Sequence, residues 1–87
     1  ALLDLRSEQQ YERWHGPEAM NVPFETAIDQ YQMLPREPTW VLYCEVGLKS
    51  ALIAEKMNQH GFDAYSFRGG VPRLKKWLDQ RDEVDAL

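Results

Sequence analysis

One short segment carries the residues that could perform covalent chemistry. The apolar run over residues 40–43 delivers the only cysteine of the chain, Cys44, to a loop that leads into a helix predicted to begin at Ser50. Unpaired backbone N–H groups and the positive end of the helix dipole converge at such a point. They favour a thiolate, and the pKa of a cysteine placed there falls below its usual value of about 8.5. The segment predicts a reactive thiol, with a small buried hydrophobic residue as the alternative.

The spacing of residues in this loop argues against three other kinds of site. A phosphate-binding P-loop needs glycine where this chain has Leu48 and Tyr43. A cysteine-dependent phosphatase needs an arginine at the position of Ser50. Thioredoxin-type exchange needs a second cysteine three residues after Cys44, where Gly47 stands. Phosphate and dithiol chemistry are disfavoured, and a phosphatase-like anion site is left as a minor alternative.

Composition limits the partners and the compartment. A net charge of −4 gives no long-range attraction to a phosphate backbone, so we expect no direct nucleic-acid binding by this domain. No apolar run approaches the roughly 20 residues that span a bilayer, so we expect no membrane contact. One cysteine cannot close an internal disulfide or build a thiolate metal cage, and we expect no metal or cofactor. A free thiol persists most easily in a reducing cytosol, which favours a cytoplasmic protein.

Periodicity and capping signals predict strands that alternate with helices. Strands are predicted over residues 2–5, 19–22, 40–43 and 64–67, and helices over 7–14, 25–34, 50–60 and 72–78, before a polar tail from residue 80. Ser7 and Gln10 fit a capping box at the first helix. This alternation is typical of an α/β domain with a mainly parallel central sheet and helices on both faces. Ligands of such sheets bind beyond the carboxyl ends of the strands, where Cys44 lies.

Other polar residues at strand and helix ends have less specific patterns. Asp4 and Arg6, at the end of the first strand, either pair with the cysteine loop or begin the following turn. Arg68 either presents a cation or is a solvated turn residue. His15 and His60 each precede a glycine at a helix end, where an imidazolium complements the helix dipole. Neither histidine is assigned as a base for the cysteine.

Four ordered segments together resemble a rhodanese (sulfurtransferase) domain across nearly the whole chain. They are LDLR at residues 3–6, HGPEAMNVP at 15–23, the cysteine loop at 44–50, and FRGGV at 67–71 with a tryptophan behind it. The resemblance implies the rhodanese-like fold, and it places the usual first helix and strand of that family before Ala1. The chain also starts without Met on an apolar run. We therefore expect residues 1–87 to be a single rhodanese-like domain excised from a longer protein.

The resemblance implies an enzyme that transfers sulfur. Cys44 would accept a sulfane sulfur as a persulfide from a donor protein such as a cysteine desulfurase, and pass it to an acceptor protein or domain. The residues of the persulfide-binding loop would be Glu45, Val46, Gly47, Leu48, Lys49 and Ser50. The supporting residues would be Asp4, Arg6 and Arg68.

The loop departs from the commonest family pattern at Glu45 and at Lys49, where arginine is usual. Lysine cannot form the bidentate fork that arginine offers an oxyanion, which favours a protein donor over thiosulfate. The loop is similar to that of the C-terminal rhodanese domains of tRNA 4-thiouridine sulfurtransferases that also serve thiamine thiazole synthesis. This implies a role in tRNA thiolation or thiazole synthesis. The alternative is a catalytically inactive protein-interaction module on the same fold, against which the retained Cys44 argues.

Overall fold

The computed structural model describes residues 1–85, in which strands alternate with helices. The strands are β1 (Leu2–Asp4), β2 (Met20–Asn21), β3 (Thr39–Tyr43) and β4 (Asp63–Ser66). The helices are α1 (Glu8–Arg13), α2 (Phe24–Gln30), α3 (Leu48–Gln59) and α4 (Gly70–Asp85), with a 3-10 turn at Tyr31–Met33. None of the helices within this range is long and apolar enough to cross a bilayer.

The strands form one all-parallel sheet in the order β2-β1-β3-β4. In its register, Leu42 of β3 lies between Leu3 of β1 and Ser66 of β4. The central strands are apolar on both faces because each face of a parallel sheet is covered by crossover helices. The predicted α/β architecture with a parallel sheet is confirmed.

The two faces of the sheet have separate cores. Strand side chains alternate between the faces, so neighbouring residues join different cores. Leu42 and Cys44 pack on one face with residues of α2 and α3. Leu2 and Tyr43 pack on the other face with Leu74 of α4 and with aromatic residues of α1 and the turn after it. Helices on both faces are therefore confirmed, and the cysteine side chain points to the α2–α3 side.

Helix α3 begins earlier than predicted, directly after a glycine. The prediction started α3 at Ser50, but Gly47 takes φ +99° as its N-cap and the helix begins at Leu48. This places Ser50 in the first turn, where backbone N–H groups have no partner within the helix. The capping box predicted for α1 is present, with Ser7 and Gln10 each bonded to the other's backbone.

Helix α4 is longer than predicted at both ends. It begins at Gly70 and continues to Asp85, whereas the prediction ran only from Pro72 to Leu78. Residues 79–85 contain no glycine or proline, and good helix formers such as Gln80 extend the helix into the segment predicted as a polar tail. The last two residues of that tail lie outside the described range.

An ion pair at the end of β1 fastens α1 to the sheet. The Asp4 side chain is fully buried, and the Arg6 guanidinium donates to it from Nε at 3.1 Å and from Nη2 at 2.8 Å. Nη2 also donates to the Trp14 carbonyl at 2.6 Å. The guanidinium carbon lies 5.7 Å from the ring centre of Tyr43. Asp4 accepts the Arg6 N–H at 2.8 Å as well, so it also begins the turn.

We predict that Asp4→Ala lowers the free energy of unfolding by about 3 kcal/mol or more, because a nearly buried guanidinium loses its carboxylate. Urea unfolding of the purified chain measures this. Asp63→Ala is the matched control, since its exposed carboxylate accepts only the Thr39 hydroxyl, at 2.9 Å, within the part of the chain that the structure describes. A loss of about 1 kcal/mol or less is expected there. Equal losses for the two variants would contradict the role given to the pair.

Candidate active site

Strand β3 carries Cys44 to the carboxyl edge of the sheet, and residues 45–47 join it to α3. The cysteine is only 4% exposed. Its Sγ accepts the N–H of Gly47 at 3.1 Å and the N–H of Ser50 at 3.4 Å. Both groups are donors that the start of α3 leaves free. The sulfur atom therefore faces the positive end of a helix.

A hydroxyl pair extends this arrangement behind the sulfur. The Ser50 side chain is fully buried, and its Oγ lies 3.5 Å from the Cys44 Sγ. The hydroxyl also donates to the Gly47 carbonyl at 3.2 Å and lies 2.7 Å from the Ser66 Oγ. Ser66 was not singled out from the sequence. The available signal was its position at the carboxyl end of β4, the parallel strand beside the one that ends at the cysteine.

Two opposing effects act on the pKa of the Cys44 thiol. Burial raises the pKa because water cannot reach and stabilise the thiolate. Hydrogen bonds from the Ser50 hydroxyl and from the N–H groups of Ser50, Gly47 and Val46 lower it. The hydrogen bonds prevail, and the pKa of Cys44 is lowered from its ordinary value. Activation of the thiol therefore comes from dipoles of the loop.

A cavity of about 230 Å³ opens beside the cysteine. Its lining includes the polar Arg6 and Gln10, and the apolar Val46 and Leu48, which are 69% and 78% exposed. Pockets for drug-sized ligands usually start at about 300 Å³. This one suits a small group, and its exposed apolar rim suits contact with a larger molecule outside.

The two charged residues of the loop are engaged by neighbouring helices. The Lys49 ammonium lies 5.2 Å from the ring centre of Phe24 in α2. The Glu45 carboxylate accepts a hydrogen bond from the Gln10 side chain of α1. The Lys49 ammonium makes no hydrogen bond to the Cys44 Sγ. Gln10 was identified only as a capping residue, and no sequence signal linked it to the loop.

The remaining candidates lie at different distances from this cavity. Arg6 lines it, and Asp4 contributes by holding Arg6. Arg68 is exposed in the turn before α4 and does not line it. His15 stacks on a tyrosine of α1, and the His60 Nδ1 bonds a tyrosine hydroxyl at 2.9 Å. Neither imidazole bonds the sulfur.

The turn before α4 packs directly on the backbone of the cysteine loop. Gly70 has φ +64°, and a Cβ there would overlap the carbonyl of Glu45 and lie 2.7 Å from the carbonyl oxygen of Cys44. The Val71 N–H donates to the same Cys44 oxygen at 3.1 Å. Only glycine permits this close approach, and the contact fixes the position of the cysteine loop.

Comparison with known proteins places this architecture in a family. A family model described as a rhodanese-like domain matches residues 1–79. The chain belongs to the rhodanese-like domain family. The predicted resemblance to rhodaneses is thus confirmed, and with it the predicted fold class.

Relatives of this rhodanese-like domain include proteins named for sulfur transfer. A tRNA sulfurtransferase of Thermoplasma acidophilum is 39% identical over 81 residues, which cover 93% of this chain and 16% of that protein. The adenylyltransferase and sulfurtransferase UBA4 of Meyerozyma guilliermondii is 33% identical, over 91% of this chain and 21% of that protein. The domain therefore spans about a sixth to a fifth of the length of these relatives.

Solved structures agree on the fold of the rhodanese-like domain. The crystal structure of a rhodanese-related protein from Thermoplasma volcanium matches it with a TM-score of 0.77 at 22% identity. The match covers 91% of this chain and 76% of that one. At this level of identity the likeness concerns the fold alone.

We predict that Gly70→Ala lowers the free energy of unfolding by about 3 kcal/mol, because it adds both a left-handed backbone penalty and a steric overlap. Gly61→Ala is the matched control. Its φ is +88°, and its added Cβ would meet only the Arg36 side chain at 3.7 Å. The Gly61→Ala variant should lose about 1 to 2 kcal/mol of unfolding free energy, because only the left-handed backbone penalty applies there. Similar losses for the two variants in urea unfolding would show that the close approach of Gly70 to the loop does not contribute to stability.

The lowered pKa of Cys44 predicts a pH dependence of stability. The folded chain releases the thiol proton at lower pH than the unfolded chain, so this group stabilises the fold at pH above the unfolded pKa. That contribution disappears as pH falls through the folded pKa. The difference in unfolding free energy between wild type and Cys44→Ala should therefore grow in favour of wild type from about pH 6 to about pH 10. A difference that is constant across this range in urea titrations would contradict it.

Proposed function

We propose that this domain carries a sulfane sulfur as a persulfide on Cys44 and passes it to an acceptor, in tRNA thiolation or thiamine thiazole synthesis. The proposal depends on the hydrogen bonds that the Cys44 sulfur accepts beside a small open cavity. They come from the backbone N–H of Gly47 at 3.1 Å and from that of Ser50 at 3.4 Å. These donors suit an atom that must hold negative charge twice in each cycle. The sulfurtransferase relatives support the same reaction class.

Loading begins with the Cys44 thiolate and a persulfide on the donor. The thiolate attacks the outer sulfur of the donor, an S–S bond forms at Cys44, and the donor's own S–S bond breaks. The donor cysteine leaves as a thiolate with the electron pair. In release, a thiolate of the acceptor attacks the terminal sulfur and takes it as a new persulfide, and the Sγ of Cys44 leaves as a thiolate. Two electrons move with each bond change, so neither half-reaction needs an outside oxidant or reductant.

The loop over residues 45–50 would hold the terminal sulfur with its backbone amides, since a persulfide anion needs several N–H donors. Arg6 lines the cavity, and Asp4 holds its guanidinium in place. The pair would therefore place a polar side chain beside the transferred sulfur. Arg68 would act farther out, because it lies in the exposed turn before α4.

We further propose that the donor is a protein, such as a cysteine desulfurase, and that the acceptor is a protein or another domain. Cys44 is 4% exposed, so a donor must insert a slender group into a cavity of about 230 Å³. Val46 and Leu48 offer exposed apolar contact at its rim. Lys49 has its ammonium over the Phe24 ring and lacks the arginine fork that would favour thiosulfate. The net charge of −4 favours assigning RNA contact to other parts of a full-length protein.

Incubation with a cysteine desulfurase and free cysteine should add one sulfur atom to the chain, and reductant should remove it. The adduct should map to Cys44 by mass spectrometry of the intact and digested chain. Cys44→Ser is the control, and because the chain has a single cysteine it should gain no reducible sulfur. Thiosulfate at the same concentration of sulfur should load the wild type less. No adduct at Cys44, or an unchanged adduct in Cys44→Ser, would overturn the proposal.

A functional assay separates this enzyme from the inactive interaction module. In the full-length protein, Cys44→Ser should abolish sulfur delivery, while a Val46→Ser and Leu48→Ser double variant should weaken loading by the protein donor. If Cys44→Ser kept full biological activity while the surface variant lost it, the interaction module would be the correct function.

A further inference from the structure

We propose that Ser66 is a positioning residue that directs the Ser50 hydroxyl toward the sulfur of Cys44. The proposal deepens the proposed function, because it concerns the thiolate that would accept and release sulfur. Ser66 is the last residue of β4, and its Oγ lies 2.7 Å from the Ser50 Oγ. The Ser50 Oγ lies in turn 3.5 Å from the Sγ.

The number of protons in this cluster limits how it can be arranged. The Ser50 hydroxyl has one proton and three neighbours that could accept it, namely the Sγ, the Ser66 Oγ and the Gly47 carbonyl at 3.2 Å. While Cys44 is a thiol, its S–H donates to Ser50 and the Ser50 proton is free to bond the carbonyl. Once the thiol proton has left for solvent, the sulfur is an acceptor only. The Ser50 hydroxyl must then turn to it.

Ser66 completes the arrangement that the thiolate requires. When Ser50 donates to the sulfur, its own oxygen is left as an acceptor, and the Ser66 hydroxyl is in place to donate to it. Ser50 is fully buried, so water has no access to take over that role. Hydrogen bonds in a chain of this kind strengthen one another where the surroundings are apolar. Ser66 therefore supplies the donor that the Ser50 oxygen loses when the Cys44 S–H is gone, and this favours the orientation of the Ser50 hydroxyl that stabilises the thiolate.

The same chain would act at release of sulfur. The bond between Sγ and the terminal sulfur breaks as the acceptor attacks, and the Sγ regains a negative charge. The Ser50 hydroxyl then donates to the leaving sulfur, with Ser66 donating to Ser50. No proton is transferred between the serines, because each keeps its own and only rotates.

The pH profile of Cys44 alkylation in the purified chain tests this inference. The single cysteine makes the signal specific. Ser66→Ala should raise the midpoint of the profile by about 0.5 to 1 pH unit, because the Ser50 hydroxyl then donates to the thiolate without the hydrogen bond that supports it. Ser66→Thr keeps a hydroxyl and should restore the wild-type midpoint. Thr39→Val is the matched control, because it removes a hydroxyl from the opposite end of the β3–β4 pair, where Thr39 bonds Asp63.

A double variant shows whether Ser66 acts through Ser50. If it does, Ser66→Ala should produce no further change in a Ser50→Ala background. An unchanged midpoint in Ser66→Ala, or the same rise with and without Ser50, would overturn the inference. If Ser50→Ala does not fold, the comparison of Ser66→Ala with Ser66→Thr decides alone. Because alkylation needs no sulfur donor, a failure of desulfurase loading with the expected midpoints would reject the sulfur-transfer proposal and leave the role of Ser66 intact.

Discussion

The close contact between two backbone segments sets the shape of the whole site. The turn before α4 meets the carbonyl groups of Cys44 and Glu45 without an intervening side chain, because Gly70 has none. The Val71 N–H bonds the Cys44 carbonyl, which leaves the N–H groups on the far side of the loop free to point at the sulfur. Strand β4 and helix α4 therefore do more than close the sheet. They hold the loop in a conformation in which its N–H groups point at the sulfur.

Stabilisation of the thiolate by fixed dipoles differs from stabilisation by an ion. The N–H groups of Gly47 and Ser50 belong to the fold and need no side-chain ordering when the sulfur becomes charged. The Lys49 ammonium and the Glu45 carboxylate are instead occupied by α2 and α1. Salt screens exposed charges far more than buried hydrogen bonds, so this form of activation depends little on ionic strength. The charged residues of the loop are left to orient the loop and to meet partners.

Local signals were enough to predict the strand that ends at Cys44, the helix after it and the parallel sheet. A buried apolar run and an amphipathic pattern are properties of a few neighbouring residues. The contacts that refine the site were beyond such reasoning, because they join residues that are far apart in the chain. The Ser50–Ser66 bond depends on the register of β3 with β4, and the Gln10 side chain reaches Glu45 only after α1 has docked. The position of the Lys49 ammonium over an aromatic ring likewise follows from how α2 packs on α3.

The solitary, almost fully buried thiol also determines how a sulfur atom held on it could leave. No second cysteine exists within these 87 residues to displace a sulfur atom from Cys44 by closing an internal disulfide. A loaded site would thus have no thiol of its own domain through which to discharge. Burial at 4% exposure would slow discharge to stray thiols in solution. The arriving partner would then determine when sulfur is delivered, so the domain would keep its sulfur until an acceptor binds.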